Sequence, residues 1–416
     1  MSPLSLTRFP LKISRPRSFP RKRESSLFRT EADPRLRGGD DHGCEEISSP
    51  PRHRGTEKLL TRALLGASVP LWLILVAFCL VAVPLGRLMV ADSPKTVIQP
   101  IDLGGVDWVG ELRGAADVKG KPSWAKRFLK AVIGLEDQQK AMLAPNGVCV
   151  DPQGRILVAD TKERVLHVFD PARRRYQEFH PPDSDPFLAP IAVACDAQGR
   201  IYVSDALRAR IFLFTPQGKY LWALGAVDRE ESIFKRSTGI AVNSQLNRLY
   251  VVDTLAMRVV MMTLEGRLVG RFGQRGAEPG EFNYPTYIAV APDGSLWVTD
   301  SLNFRVQHFD REGKFLSAFG NAGSGLGDFD KAKGIAVDAQ GRIYVVEGRN
   351  DRVQVYDTEG RLLFVFGSTG AGAGEFFLPT AIALDSENRI YVADGFNRRV
   401  QMFRLRPEGI APRGGQ

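Results

Sequence analysis

Apolar positions along the chain fall into short runs separated by polar turns. The stretch from Lys333 to Gly367, KGIAVDAQGRIYVVEGRNDRVQVYDTEGRLLFVFG, holds four such runs in succession. Runs of β-branched and aromatic residues bounded by Gly, Asp and Asn predict strands. The segment is therefore expected to fold as a four-stranded antiparallel meander. One sheet of that size buries too little on either face to stand alone.

The chain supplies its neighbours by repetition. NGVCVDPQGRILVAD (146–160), IAVACDAQGRIYVSD (191–205) and GIAVNSQLNRLYVVD (239–253) share the opening pattern of that stretch. YIAVAPDGSLWVTD (287–300), GIAVDAQGRIYVVE (334–347) and AIALDSENRIYVAD (381–394) continue it. An acidic residue ends the second run of each copy, at intervals of 45 to 48 residues. Six near-equal four-stranded units predict an all-β fold, a six-bladed β-propeller in which the ring leaves no long open edge.

The shared pattern, P-x-G-I-A-V-D-x-x-G-x-I-Y-V-A-D-x-x-N-x-R-V-Q-V-F-D-x-x-G, resembles the NHL repeat over about Leu143 to Leu405. The linkers PGEF (279–282), LGDF (326–329) and AGEF (373–376) strengthen the likeness. A Trp-containing strand, a basic amphipathic helix and then six repeats is an order that also resembles a group of membrane-attached bacterial NHL proteins. The sixth repeat runs out after its third strand at Val400 to Leu405. The earlier run Val106 to Leu112, VDWVGEL, is expected to pair outside it and close the ring.

Ahead of the repeats the composition changes. Residues 1–62 carry 14 Lys and Arg against 8 Asp and Glu and show no apolar periodicity, so they read as a disordered basic tail. Within it, Ser18 to Asp41 resembles a translated bacterial intergenic repeat, which implies that translation begins downstream of Met1. Ala63 to Leu85 contains no charge and is long enough to span a bilayer. With Lys58, Arg62 and the Arg-rich tail before it, this span predicts a signal anchor (63–89) in a bacterial inner membrane, with the propeller in the periplasm. Residues 90–142 then hold a linker, the closing strand and the helix Ser123 to Leu135. Trp124, Phe128, Val132 and Ile133 share one face of that helix, which suits either a lipid interface or one end of the propeller. The propeller is placed at 143–406, with a short tail at 407–416.

Charge and chemistry narrow the function. The net charge of +9 is mostly a property of the tail, so a basic nucleic-acid groove is not expected. Acid and Arg stand five residues apart in Asp205/Arg210, Asp253/Arg258, Asp300/Arg305, Glu347/Arg352 and Asp394/Arg399, and each pair is expected to clamp its own turn. The first repeat has Val165 where the Arg would stand. Asp151, Asp196, Asp338 and Asp385 end first strands and read as turn residues. His167 and His308 fall on opposite blades, so no shared metal site is expected, and no cofactor is implied. Some NHL propellers are metal-dependent lyases with several histidines near the channel, and this sequence lacks that set. Cys149 and Cys195 sit one position out of phase in neighbouring first strands. Their side chains are expected on opposite sides of the two sheets, as small buried apolar groups without a disulfide.

The resulting expectation is a non-catalytic scaffold that docks a protein, peptide or glycan. The irregular connectors 181–190 and 226–237 are the expected specificity loops, with Phe187, Phe234 and Tyr284 as candidate ligand contacts. A metal-assisted lyase or hydrolase at the channel mouth is the alternative, and nucleic-acid binding is a third, weaker one.

Overall fold

The computed structural model describes residues 105–119, 140–225 and 233–406. Five antiparallel four-stranded meanders span 145–179, 190–224, 237–272, 285–319 and 332–366, and make blades 1 to 5. Blade 6 takes three strands from the C-terminal end, Pro379–Leu384, Arg389–Asp394 and Arg399–Leu405. Its fourth is β1, Val106–Leu112, antiparallel to the last of these with Val106 opposite Leu405 and Leu112 opposite Val400. Trp108 Nε1 donates to Gln401 Oε1 at 3.0 Å, and Glu111 takes the Arg399 guanidinium at 2.7 Å. A short helix α1, Ala115–Lys119, follows β1 and buries Val118 beside Leu112 and Met142. The proposed anchor (63–85), the helix Ser123 to Leu135 and most of connector 226–237 lie outside the described residues. Among the described residues no helix is long and apolar enough to cross a membrane.

The first strand of each blade touches the first strand of the next, and blade 6 touches blade 1, so six inner strands surround one axis. This contact dictates small residues. A Cβ on Gly147 would lie 2.5 Å from the Ile191 carbonyl oxygen, and one on Gly334 would lie 2.6 Å from Ala381 Cα. The same position holds Ala192, Gly239 and Ala381 in other blades, but Tyr287 in blade 4. Tyr287 instead crosses the channel and donates its hydroxyl to Asn146 Oδ1 of the opposite blade at 3.1 Å.

Between blades the side chains pack in six apolar clusters, one at each blade interface. Side chains of an inner strand alternate between the two neighbouring interfaces, as Val148 and Val150 face blade 6 while Cys149 faces blade 2. Each interface also receives one large side chain from the connector: Met142, Phe187, Phe234, Phe282, Phe329 and Phe376, none more than 1% exposed. Phe282, Phe329 and Phe376 belong to the Gly-Glu/Asp-Phe linkers. Phe187 and Phe234 stand at the same place in the repeat, which corrects their assignment as ligand contacts. They are wedges that the blades close over.

The acidic residue ending each second strand is fully buried in all six blades. Asp205 accepts N–H bonds from Leu188 and Ala189 on the incoming connector, and from Leu207 and Arg208 in its own turn. Asp160 does the same with Leu143, Ala144, Lys162 and Glu163. In blade 1, which lacks the Arg, His167 lies 3.5 Å from Asp160. Burial pushes the Asp160 carboxyl up, but His167 and the backbone amides outweigh it and hold its pKa low. For Glu347 burial wins and the pKa is raised.

Three of the expected acid–Arg contacts form: Asp253 with Arg258 at 3.2 Å, Asp300 with Arg305 at 3.0 Å and Asp394 with Arg399 at 2.8 Å. Arg258 also reaches beyond its own turn. Its guanidinium is shared between Asp253 and the Ile233 carbonyl of the incoming connector, 3.1 Å away. Asp253 in turn accepts from the Lys235 and Arg236 amides of that same connector. The turn between them closes through its own backbone, Met257 N–H donating to the Thr254 carbonyl. Arg258 therefore keeps its pairing with Asp253 and adds a bond to the connector, as Arg305 and Arg399 do in their blades.

Two contacts do not form at all. Arg210 is drawn instead to Asp185 in the long connector and to the Gly225 carbonyl. Arg352 reaches the Ser324 and Gly325 carbonyls, while the Glu347 oxygens are taken up by the amides of Asp330, Lys331 and Arg349.

This packing sets the cost of two substitutions. Gly147→Ala should cost about 1–3 kcal/mol, because the atoms it meets are backbone and cannot swing aside. Asp394→Ala should cost about 3–5 kcal/mol, since it removes the acceptor for Phe377 N–H, Asn397 and Gln401 and strips buried Arg399 of one of its two carboxylate partners. Guanidinium midpoints against the parent chain check both. A midpoint unchanged in either variant contradicts the corresponding account.

Candidate functional site

Every inner strand runs the same way along the axis, so the two ends of the ring carry different loops. One end holds the turns between first and second strands. Asp196 there accepts from Gln198 N–H and Arg200 N–H and pairs with Arg200 Nε at 2.5 Å, and the Tyr202 hydroxyl closes on it at 3.2 Å. Asp338 and Asp385 repeat this arrangement, and Asp151 repeats it without the tyrosine. These carboxylates are turn residues, each largely occupied by its own loop. Between the turns of blades 6, 1 and 2 lies a cavity of about 690 Å³ lined by Val150, Asp151, Cys195, Asp196, Leu384 and Asp385, among others.

Cys149 and Cys195 meet beside this cavity, with Sγ atoms 3.2 Å apart and neither sulfur in a disulfide. The out-of-phase spacing does put them on opposite faces of their sheets. In a ring, however, the opposite faces of neighbouring blades are the two that touch. The expectation that the thiols point apart is corrected for that reason.

The other end carries the connectors between blades and the turns between second and third strands, bound to one another through the buried acids and through arginines such as Arg258. Two residues past the acid, these turns expose Leu207 (58%), Leu255 (50%), Leu302 (51%) and Phe396 (66%) in blades 2, 3, 4 and 6. Blades 1 and 5 have exposed Lys162 and Arg349 at that place. Leu378 adds a fifth exposed apolar group, and Phe396 rests edge-on against Phe377 at 4.6 Å. Tyr284, in a left-handed backbone conformation (φ 61°), is half-buried here, and its hydroxyl accepts from Arg236 at 3.1 Å. Of the three candidate aromatics it alone reaches this surface. The apolar turn position was present in the sequence as DALRAR, DTLAMR, DSLNFR and DGFNRR. Its signal is a hydrophobic residue where a tight turn normally carries a polar one.

Around these apolar groups the exposed charges of the turns and inner-strand approaches are mainly basic. Lys162, Arg164, Lys235, Lys331, Arg349 and Arg398 stand against exposed Glu163 and half-buried Asp330, which Arg349 pairs at 3.1 Å. Nearer the axis, Lys333 lies over Gly348, and burial pulls its amine down to about 8.

The histidines do not assemble. His167 is buried in blade 1, where Nδ1 and the Tyr176 hydroxyl are 2.7 Å apart, and Tyr176 donates to Glu178 at 2.6 Å. His308, in blade 4, stacks on Trp297 with ring centroids 3.9 Å apart and meets Ser295 Oγ at 2.9 Å. Among the described residues no group of three or more His, Cys, Asp or Glu side chains is placed to hold a metal ion.

Two family models match the sequence. One, described as the SMP-30/Gluconolactonase/LRE-like region, covers residues 136–323, and one described as a 6-bladed beta-propeller covers 338–408. No curated protein sequence matches the chain. Among solved structures, a Bacteroides thetaiotaomicron protein of unknown function aligns at 15% identity and a TM-score of 0.51, over 65% of this chain and 71% of its own. Virginiamycin B lyase from Staphylococcus aureus aligns at 15% identity and 0.48, over 64% and 96%. Kuenenia stuttgartiensis hydrazine synthase aligns at 13% identity and 0.47, over 64% and 96%. At such identities the likeness speaks to fold alone. Taken with six blades around one axis, the family matches identify the chain as a six-bladed β-propeller of the SMP-30/gluconolactonase and NHL type.

Proposed function

We propose that this propeller is a non-catalytic docking scaffold and that its connector end binds a protein or peptide carrying apolar and acidic side chains. The observation that carries this reading is the set of exposed leucines and the phenylalanine at equivalent turns of four blades. Single exposed apolar residues are ordinary, whereas several gathered at one end mark a contact surface. The basic groups among them favour an acidic partner, and they favour a protein or peptide over a neutral glycan. The charge-free stretch 63–85 supports a companion proposal, that the propeller is tethered to a membrane and works in the periplasm. A reporter fused after Gln416 that is active only in the cytoplasm would refute that topology.

A lyase or hydrolase at the cavity end is less well supported. Its carboxylates already take turn amides and arginines, which leaves few free oxygens for a metal or a reacting group.

Photo-crosslinking from residues 302 and 396 in cell envelopes, compared with residues 153 and 386 at the cavity end, tests the docking face. The partner should be captured from the first pair alone. Leu302→Asp combined with Phe396→Asp should weaken its binding at least about tenfold, the loss expected when buried anchors are replaced by charge. Equal capture from both ends, or undiminished binding by the double variant, refutes the assignment.

A further inference from the structure

We propose that Cys149 and Cys195 are a redox-active pair whose disulfide staples blade 1 to blade 2 at the wall of the channel cavity. Their sulfurs are 3.2 Å apart, closer than an ordinary sulfur–sulfur contact, and each side chain is only partly buried. Cys195 lines the cavity, which gives an oxidant a route to the pair.

The other five blade interfaces show that packing does not call for sulfur here. The residue at the Cys149 position is Ala194, Ala241, Ala289, Ala336 or Ala383 in blades 2 to 6. At the Cys195 position the other blades carry Val150, Val242, Val290, Val337 or Leu384. Each alanine shares a cluster with the valine or leucine of the following blade, as Ala241 does with Val290 and Ala289 with Val337. Only between blades 1 and 2 are both partners replaced by cysteine, at little change in total volume. The exchange adds no packing advantage and introduces one new capability, a covalent link.

The reaction is thiol–disulfide exchange with a disulfide-bearing oxidant. One cysteine loses its proton, and the thiolate attacks a sulfur of the oxidant. The oxidant's S–S bond breaks and a mixed disulfide forms. The second cysteine, also deprotonated, then attacks the protein sulfur of that mixed disulfide. The Cys149–Cys195 bond forms and the oxidant leaves as its two thiols, having gained two electrons and two protons. The Cys149 sulfur and burial both hold the Cys195 thiol well above its usual pKa, so formation should be slow at neutral pH and faster in mild alkali. This proposal does not depend on the docking reading, because it concerns the opposite end of the ring.

The test uses the full chain, purified in reductant and then incubated with oxidised glutathione. Two of its four thiols should disappear, and peptide mapping should join the segments containing Cys149 and Cys195. The melting temperature should rise by about 5–10 °C and fall back on reduction, as expected for a cross-link closing a loop of this size. A double variant copied from the other blades, Cys149→Ala with Cys195→Val, should melt like the reduced parent and ignore the oxidant. Four thiols persisting in excess oxidant would overturn the proposal. So would a disulfide involving Cys44 or Cys79 in place of this pair, or a joined pair that melts lower than the reduced protein.

Discussion

Everything in this ring depends on one buried carboxylate per blade. Placed at the end of the second strand, it collects amides from the connector entering its blade and, in several blades, from the turn leaving the second strand. Those N–H groups lie where no sheet partner is available, and leaving them unpaired in the interior would be costly. The carboxylate thus solves two problems with one charge. It fixes where each blade begins relative to where its third strand begins. The arginine five residues on is secondary, since Asp205 and Glu347 hold their loops without it.

Freed from a strict clamp, the arginines reach outward. Arg258 bonds to the Ile233 carbonyl, Arg305 to those of Ala277, Glu278 and Glu281, and Arg399 to those of Gly372 and Glu375. Each stitches a connector to the blade it enters. Gln307, Gln354 and Gln401 repeat the device one layer further in, each donating to a connector carbonyl. Blade 6 extends this scheme to the other end of the chain. Arg399 is gripped by Glu111 as well as Asp394, and Gln401 accepts from Trp108. The N-terminal strand is therefore held by polar contacts as well as by its ladder, against the same residues that hold the blade 5 to blade 6 connector. Opening blade 6 from either terminus would disturb both.

Much of this was legible in the sequence because the period is long and the pattern simple. Alternating apolar runs and the recurring acid predict strand number, blade number and the inner-strand turns, since each depends only on local residues. What the sequence concealed depends on which surfaces meet. Cys149 and Cys195 look separated when each sheet is considered alone, yet the ring turns opposite faces toward each other. Phe187 and Phe234 look available because their connectors are irregular. Counting back from the acid reveals them as the counterparts of Phe282, Phe329 and Phe376. Arg210 and Arg352 look like turn clamps until a nearby Asp185 or an open connector carbonyl offers them another partner.

The same carboxylates explain why function is better sought at one end of the ring than the other. At the cavity end each turn is short, ties its own aspartate and arginine together in four blades, and has little room to vary. At the connector end the backbone is fixed from beneath by buried acids, which leaves the exposed side chain two residues past each acid free to vary. Position two of the turn is Lys, Leu, Leu, Leu, Arg and Phe in blades 1 to 6, a range that fold stability alone would not demand. Exposing leucine on a tight turn carries a solubility cost and adds nothing to the core. A surface that is apolar at four of six equivalent sites, with no part in the core beneath it, is what the docking proposal rests on.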